Sequence, residues 1–210
     1  TGEKVHGKPS KPGGWNSRTM SDETNKHLIQ KHGFISWWKT ICKAEIPPWN
    51  DGSEDQIIKE IVGENDSIIE LGCGHNKIFP HSLGVDLIPK GKEIPFVGGK
   101  SVADEIRNVE TIKMGSKFKY VLAQQIIEHL TDPLFSLQHW VELMDEGGKL
   151  IISTPDEDKV DGINLNAQHK HVFTPTSLVR LGDICGLKIE NIYTTYDFFS
   201  FTAVFIKGDE

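Results

Sequence analysis

The run Ile68-Ile69-Glu70-Leu71-Gly72-Cys73-Gly74 constrains this chain more than any other stretch, because residues suited to a buried strand pass without a spacer into a Gly-x-Gly turn. Glycine is needed there: the backbone must turn tightly and lie close to a ligand at the carboxyl end of the strand, where open α/β sheets bind their ligands. Gly-x-Gly alone is a weak motif. The next β-rich run, Leu83-Gly84-Val85-Asp86, strengthens it by ending in an acid placed to accept two hydrogen bonds from a ribose diol.

Two classes of nucleotide ligand use this geometry, and the third glycine helps to separate them. A dinucleotide site needs Gly-x-Gly-x-x-Gly so that a pyrophosphate can sit on a helix N-terminus, whereas Gly74 is followed by His75-Asn76-Lys77. Asp86 arrives twelve positions after Gly74, short of the roughly twenty of the dinucleotide fingerprint. That leaves space for little more than one helical turn. A nicotinamide dinucleotide is disfavoured, and an adenosyl ligand without phosphates is favoured.

Around this turn the pattern alternates between strands and helices. Short β-rich runs fall at Ser67–Leu71, Leu83–Asp86, Lys100–Ala103, Tyr120–Ala123 and Lys149–Ser153, followed by Lys188–Tyr193 and Phe199–Ile206. Helices are expected from Ser53 to Ile61, with a capping box in Ser53-Glu54-Asp55-Gln56 and a left-handed stop at Gly63, and from Asp132-Pro133 to Met144. A further helix is expected between Thr174-Pro175 and Gly186. Such alternation predicts a mostly parallel seven-stranded sheet with helices on both faces. The final two strands are joined too closely for a helical crossover, so the last is expected to run antiparallel.

The 210 residues, 37% hydrophobic and 25% charged, suit one globular domain. Residues 51–210 are expected to form it, with residues 1–50 as an extension. Thr1 to about Thr19 is rich in Gly, Pro, Ser and Lys and reads as irregular. From Ser21 an interrupted helical pattern runs to Pro47-Pro48. Four of the five tryptophans, Trp15, Trp37, Trp38 and Trp49, lie in this extension, which must therefore pack on something: the main domain, or an acceptor pocket that it lids. The extension holds 8 Lys and Arg against 4 Asp and Glu, the remainder 15 against 26. The net charge of −7 fits a small-molecule or sugar acceptor better than a nucleic acid. No apolar run spans a membrane and no secretory signal is legible, which predicts a cytoplasmic protein. Cys42, Cys73 and Cys185 show no Cys-x-x-Cys spacing, arguing against a disulfide framework and a zinc site.

Five motifs now stand in order: Glu70-Leu71-Gly72-Cys73-Gly74, Gly84-Val85-Asp86, Val102-Ala103-Asp104, Gln125-Ile126-Ile127-Glu128-His129-Leu130-Thr131-Asp132-Pro133, and Gly147 to Pro155. In this order they resemble the class I S-adenosylmethionine-dependent methyltransferases, most of all the branch containing ubiquinone-biosynthesis-like O-methyltransferases and methyltransferases of polysaccharide clusters. The resemblance covers about residues 55–207. It implies a Rossmann-like domain using S-adenosylmethionine and releasing S-adenosylhomocysteine. It also implies that Glu70, Gly72, Cys73 and Gly74 line the methionine moiety, that Asp86 and the adjacent Leu87 take the ribose side, and that Asp104 lies by the adenine amino group. Glu105 or Ile106 would supply backbone contacts, and Gln124 and Gln125 would sit beside the sulfonium.

Methyl transfer from a sulfonium is an in-line displacement with an activated leaving group, so the protein mainly aligns the nucleophile and excludes water. A hydroxyl acceptor also needs a base. The candidates are Glu128 and His129 after the fourth strand and His169 and His171 after the fifth, since both segments leave the carboxyl edge of the sheet. Some ubiquinone-pathway relatives hold a divalent metal on Glu-x-x-Glu-His. Gln125 replaces the first acid here, and a neutral amide is a poor ligand for a hard cation, so no required metal is expected. The acceptor is expected to be a small molecule, sugar or lipid-linked compound bearing a hydroxyl or amine. The competing expectation is a non-catalytic module of the same fold, binding a partner through its tryptophan-rich N-terminus.

Overall fold

The computed structural model describes residues 53–95, 98–195 and 199–208. The expectations placed on residues 1–50 lie outside the described residues.

Seven strands form one sheet: β1 (Ile68–Leu71), β2 (Leu83–Asp86), β3 (Glu105–Ile106), β4 (Phe118–Gln124), β5 (Met144–Pro155), β6 (Leu187–Thr195) and β7 (Ser200–Lys207), in the order β3-β2-β1-β4-β5-β7-β6. All pairings are parallel except those of β7, which runs antiparallel to both β5 and β6, as the short β6–β7 connection requires.

Period-two alternation assigns the two faces. Ile69, Val121, Leu150 and Phe205 occupy neighbouring register positions in one buried cluster, which receives α2 (Pro133–Leu143) through Leu137 and Trp140, and α4 (Pro175–Ile184) through Leu178. Ile68, Tyr120, Leu122, Ile151 and Val204 face the other way, where α1 (Ser53–Ile61) covers them with Ile58, joined by Val62 just beyond its end. Trp140 is fully buried, and its indole Nε1 donates to the Val109 carbonyl at 2.8 Å, so burying it leaves no polar atom unpaired.

The helix boundaries follow local chemistry. Asp132 accepts from Phe135 N at 3.0 Å with Pro133 as the first helical residue, and Thr174 and Ser177 form a reciprocal capping box at α4. Gly186 takes the left-handed φ of +74° beyond α4.

Three local expectations need correction. The third strand does not lie at Lys100–Ala103 but at Glu105–Ile106. The earlier run spends its backbone on loops: Ser101 N donates to Lys92 O, Gly91 N to Ser101 O, and Val102 N to Gly74 O. Gly63 is not a left-handed stop; the chain leaves α1 through an ordinary turn in which Asp66 N donates to Gly63 O at 3.3 Å. Among the described residues, no helix forms between β1 and β2, where one short turn of helix was expected.

Candidate functional site

The glycine turn closing β1 is held by its neighbours. Gly72 and Gly74 both lie in the left-handed region, at φ +67° and +56°, which an L side chain rarely adopts. Gly72 N and Cys73 N donate to Val85 O at 2.9 and 3.2 Å, and Gly74 N donates to Asp86 Oδ2 at 3.0 Å. All three N–H groups are thereby used, and no helix N-terminus follows, so the turn lacks the donors that a pyrophosphate needs. Asp86 accepts a second backbone bond, from Ile88 N to Oδ1 at 3.0 Å. Each of its oxygens keeps a further lone pair. Leu87 and Ile106, at the ends of the adjacent strands β2 and β3, are 62% and 61% exposed.

Several residues expected in this pocket have protein partners. Glu70 is buried, and its carboxylate accepts from Ile78 N, Phe79 N and Ser82 Oγ at 2.8, 3.0 and 2.6 Å, which moulds the loop after the glycine turn. Asp104 stands beside Gly84 rather than at the outer end of β3: it accepts from Gly84 N at 2.9 Å and pairs with Lys77 at 2.7 Å and Lys90 at 3.5 Å. The Lys77 bond and the Gly84 N–H hold its carboxyl below the usual range. Glu105 pairs with Arg107 at 2.6 Å. Cys73 is buried, and burial reinforced by Asp86 and Glu70 pushes its thiol up to about 12, so it is no nucleophile.

At the end of β4 the chain bends sharply at Gln125, whose φ of +51° is the one left-handed value at a non-glycine among the described residues. Such a conformation costs about 1–2 kcal/mol, and its surroundings hold it in place. Gln125 Nε2 donates to Glu54 Oε1 at 3.0 Å, while Gln124 Nε2 donates to Glu54 Oε2 and Asp55 Oδ1 at 2.9 and 3.0 Å. Glu54, buried in the first turn of α1, also accepts from Ser200 Oγ at 2.5 Å. Burial raises its carboxyl above the ordinary value. From the sequence Glu54 reads only as a first-turn helix acid; seventy residues separate it from the glutamines it fixes.

Beyond this bend, a short 3₁₀ turn (Ile127–His129) presents Glu128 and His129. The backbone carbonyl of Glu128 accepts from both Lys170 N and His171 N at 2.8 and 3.1 Å, which draws the loop after β5 over the turn. His169 is thereby delivered to the Glu128 carboxylate. His169 Nε2 and His129 Nε2 lie 3.9 and 4.0 Å from Glu128 Oε1, and the two rings meet edge to face at 4.7 Å. His169 Nδ1 contacts Gly162 O at 2.6 Å and His129 Nδ1 contacts Gln168 O at 3.3 Å. A carbonyl can only accept, so in both rings Nδ1 carries the proton and Nε2 presents a lone pair. Glu128 Oε2 accepts from Thr154 Oγ1 at 3.2 Å, while Oε1 is buried with no hydrogen-bond partner. Burial pushes the Glu128 carboxyl up to about 8, pulls His169 down to about 4, and lowers His129 as well. His171 stands apart from this trio: its Nε2 faces Thr131 O at 3.4 Å, while its ring lines the same cleft as Glu128, Thr154 and His169.

The two halves of the site adjoin. A Cβ placed on Gly72 would come within 2.8 Å of the Ile126 side chain, two residues before Glu128.

This chain belongs to the methyltransferase-domain family, whose model matches residues 49–192. Its fold is that of S-adenosylmethionine-dependent methyltransferases of known structure. One from Clostridium acetobutylicum superposes with a TM-score of 0.57 at 11% identity, over 82% of this chain and 96% of that one. One from Mesorhizobium loti gives 0.57 at 14% identity, over 74% and 98%. A TehB-like enzyme from Corynebacterium glutamicum gives 0.54 at 15% identity, over 89% and 100%. No curated protein matches the sequence. Among the described residues, no helix is long and apolar enough to cross a membrane.

Proposed function

We propose that the protein transfers a methyl group from S-adenosylmethionine to a hydroxyl, or an amine, of a small-molecule, sugar or lipid-linked acceptor. The observation that carries this reading is the adjacency of two surfaces at one sheet edge: a glycine turn with an open carboxylate and no phosphate donors, and a cleft lined with histidines one short bend away. The residues suit an adenosyl group. Asp86 has spare lone pairs for a ribose diol, and exposed Leu87 and Ile106 can bracket a flat ring. Gln124 and Gln125, locked by Glu54, set the wall where the sulfonium would lie. Glu70 and Asp104 act in this reading by shaping the pocket, since their carboxylates are bonded within the protein.

When bound, the cofactor supplies an electrophilic methyl group on a sulfonium. The chain's own task is to orient the acceptor and remove its proton. His171 is our choice of base: its Nε2 faces Thr131 O at 3.4 Å, a contact that favours the tautomer with the proton on Nε2 and a lone pair on Nδ1, and the ring borders the cleft. Glu128, His129 and His169 are turned toward one another, and Glu128 and His169 line the same cleft as His171. Incubation with S-adenosylmethionine carrying a labelled methyl group and pooled hydroxyl and amine acceptors tests the reading. Label transferred to an acceptor supports it. Cofactor binding with no transfer to any acceptor class would favour a non-catalytic module.

A further inference from the structure

We propose that Glu157 makes the acceptor cleft selective for an ammonium ion, so that the methyl acceptor is an amine rather than an alcohol. The inference rests on the methyltransferase reading above and narrows it. Glu157 belongs to none of the sequence motifs and lies in the loop that follows β5.

The polar groups along this cleft are acceptors in need of donors. Glu157 Oε2 accepts from Gly162 N at 2.7 Å, and Glu157 Oε1 has no hydrogen-bond partner among the described residues. Gly162 O contacts His169 Nδ1 at 2.6 Å, and His169 Nε2 stands 3.9 Å from Glu128 Oε1. This short chain of contacts places both carboxyls on one wall. Glu128 is fully buried, and its Oε1 has no hydrogen-bond partner. The Gly162 N–H and the Thr154 O–H are already donated to the two carboxyls. A buried acceptor left without a donor is destabilising, so a ligand rich in N–H groups is favoured. An ammonium brings three donors, a hydroxyl one.

Charge points the same way. Among the described residues, no lysine or arginine lines the cleft. Burial first, and then repulsion from Asp161, Asp158 and Asp156, raises the Glu157 carboxyl. Against these four acids stand Lys159, 3.9 Å from Asp156, and Lys170, which is bonded to Thr131 Oγ1. A cation relieves that repulsion, whereas a carboxylate or phosphate would add to it. Pro155, Val172 and Phe173 supply apolar lining, and Ile163 beside Gly162 is 42% exposed. The walls therefore suit an ammonium carried on an apolar body.

An aliphatic amine is protonated at neutral pH and has no lone pair to attack with. The Glu157 carboxylate holds R–NH₃⁺, and His171 takes one proton from it. The freed nitrogen lone pair then forms the N–C bond, while the electron pair of the broken C–S bond stays on sulfur. The products are a methylated ammonium, S-adenosylhomocysteine and protonated His171.

The test uses the full chain at neutral pH and three matched probes: benzylamine, benzyl alcohol and benzoate. NMR titration without cofactor measures occupancy of the cleft independently of methyl transfer. Benzylamine is expected to shift the Gly162, Val172 and Phe173 resonances and to bind about tenfold more tightly than benzyl alcohol, as a charge-assisted hydrogen bond exceeds a neutral one. Benzoate should bind no better than the alcohol. Glu157→Gln keeps an acceptor for Gly162 N and removes only the charge; it should weaken benzylamine about tenfold and leave benzyl alcohol unchanged. No binding of benzylamine, equal affinity for amine and alcohol, a preference for benzoate, or amine affinity unchanged in Glu157→Gln would each overturn the proposal. The expected preference without labelled-methyl transfer to any acceptor would overturn the methyltransferase reading and leave the selectivity of the cleft standing.

Discussion

Replacing Glu128 with Gln should stabilise the protein, increasingly so as the pH rises. Glu128 is buried, and its carboxyl is pushed up from 4.5 to about 8, chiefly by burial. A carboxyl whose folded value lies above its unfolded value contributes stability that is fully present below about pH 4.5 and is lost as the pH climbs to about 8. At about 1.4 kcal/mol per pH unit, the loss is roughly 3 kcal/mol at pH 7 and on the order of 5 kcal/mol above pH 8. Gln has nearly the same shape and no charge, so Glu128→Gln removes this dependence. Its Nε2 can also donate to the His169 lone pair. Urea unfolding of both proteins should show a stability difference that is small near pH 4.5, widens through neutrality and levels off above pH 8. Other titrating groups are common to both proteins and cancel. A difference that is constant with pH, or that widens toward acid, would refute the reasoning.

Asp86→Ala should weaken S-adenosylmethionine binding about 100-fold or more, since two hydrogen bonds to a charged group are worth about 1.5–3 kcal/mol each; isothermal titration measures it. His171→Ala should lower methyl-transfer turnover and leave cofactor affinity nearly unchanged, and unaltered turnover would remove His171 from the mechanism. Gly182→Ala should cost about 1–3 kcal/mol of stability by overpacking, because its Cβ would come within 2.6 Å of the buried Phe205 ring. Thermal melting reads that as a Tm lower by several degrees.

What the sequence reveals here is whatever rests on short-range chemistry. Asp132-Pro133 and Thr174-Pro175 announce their helices because cap and first turn lie within four residues. The turn at Gly72 and Gly74 is visible because only glycine fits those dihedrals without strain. The third strand is misplaced because it has only two residues, and the bonds of Ser101 to the loop at 88–92 are invisible in a linear pattern. Glu54 is hidden for the same reason: its partners lie about 70 and 146 residues away. Glu128, His129 and His169 are each legible as candidates, but not as a trio. Their meeting depends on main-chain bonds across some forty residues, and the orphaned oxygen at their centre appears only when burial and geometry are known together.

The proposed function depends most directly on what the glycine turn and Asp86 bind. Isothermal titration of the full chain with S-adenosylmethionine, S-adenosylhomocysteine and NADH in parallel measures this. Saturable one-to-one binding of the two adenosyl compounds, with no heat from the dinucleotide, is the predicted result. Binding of NADH, or of none of the three, would contradict the account.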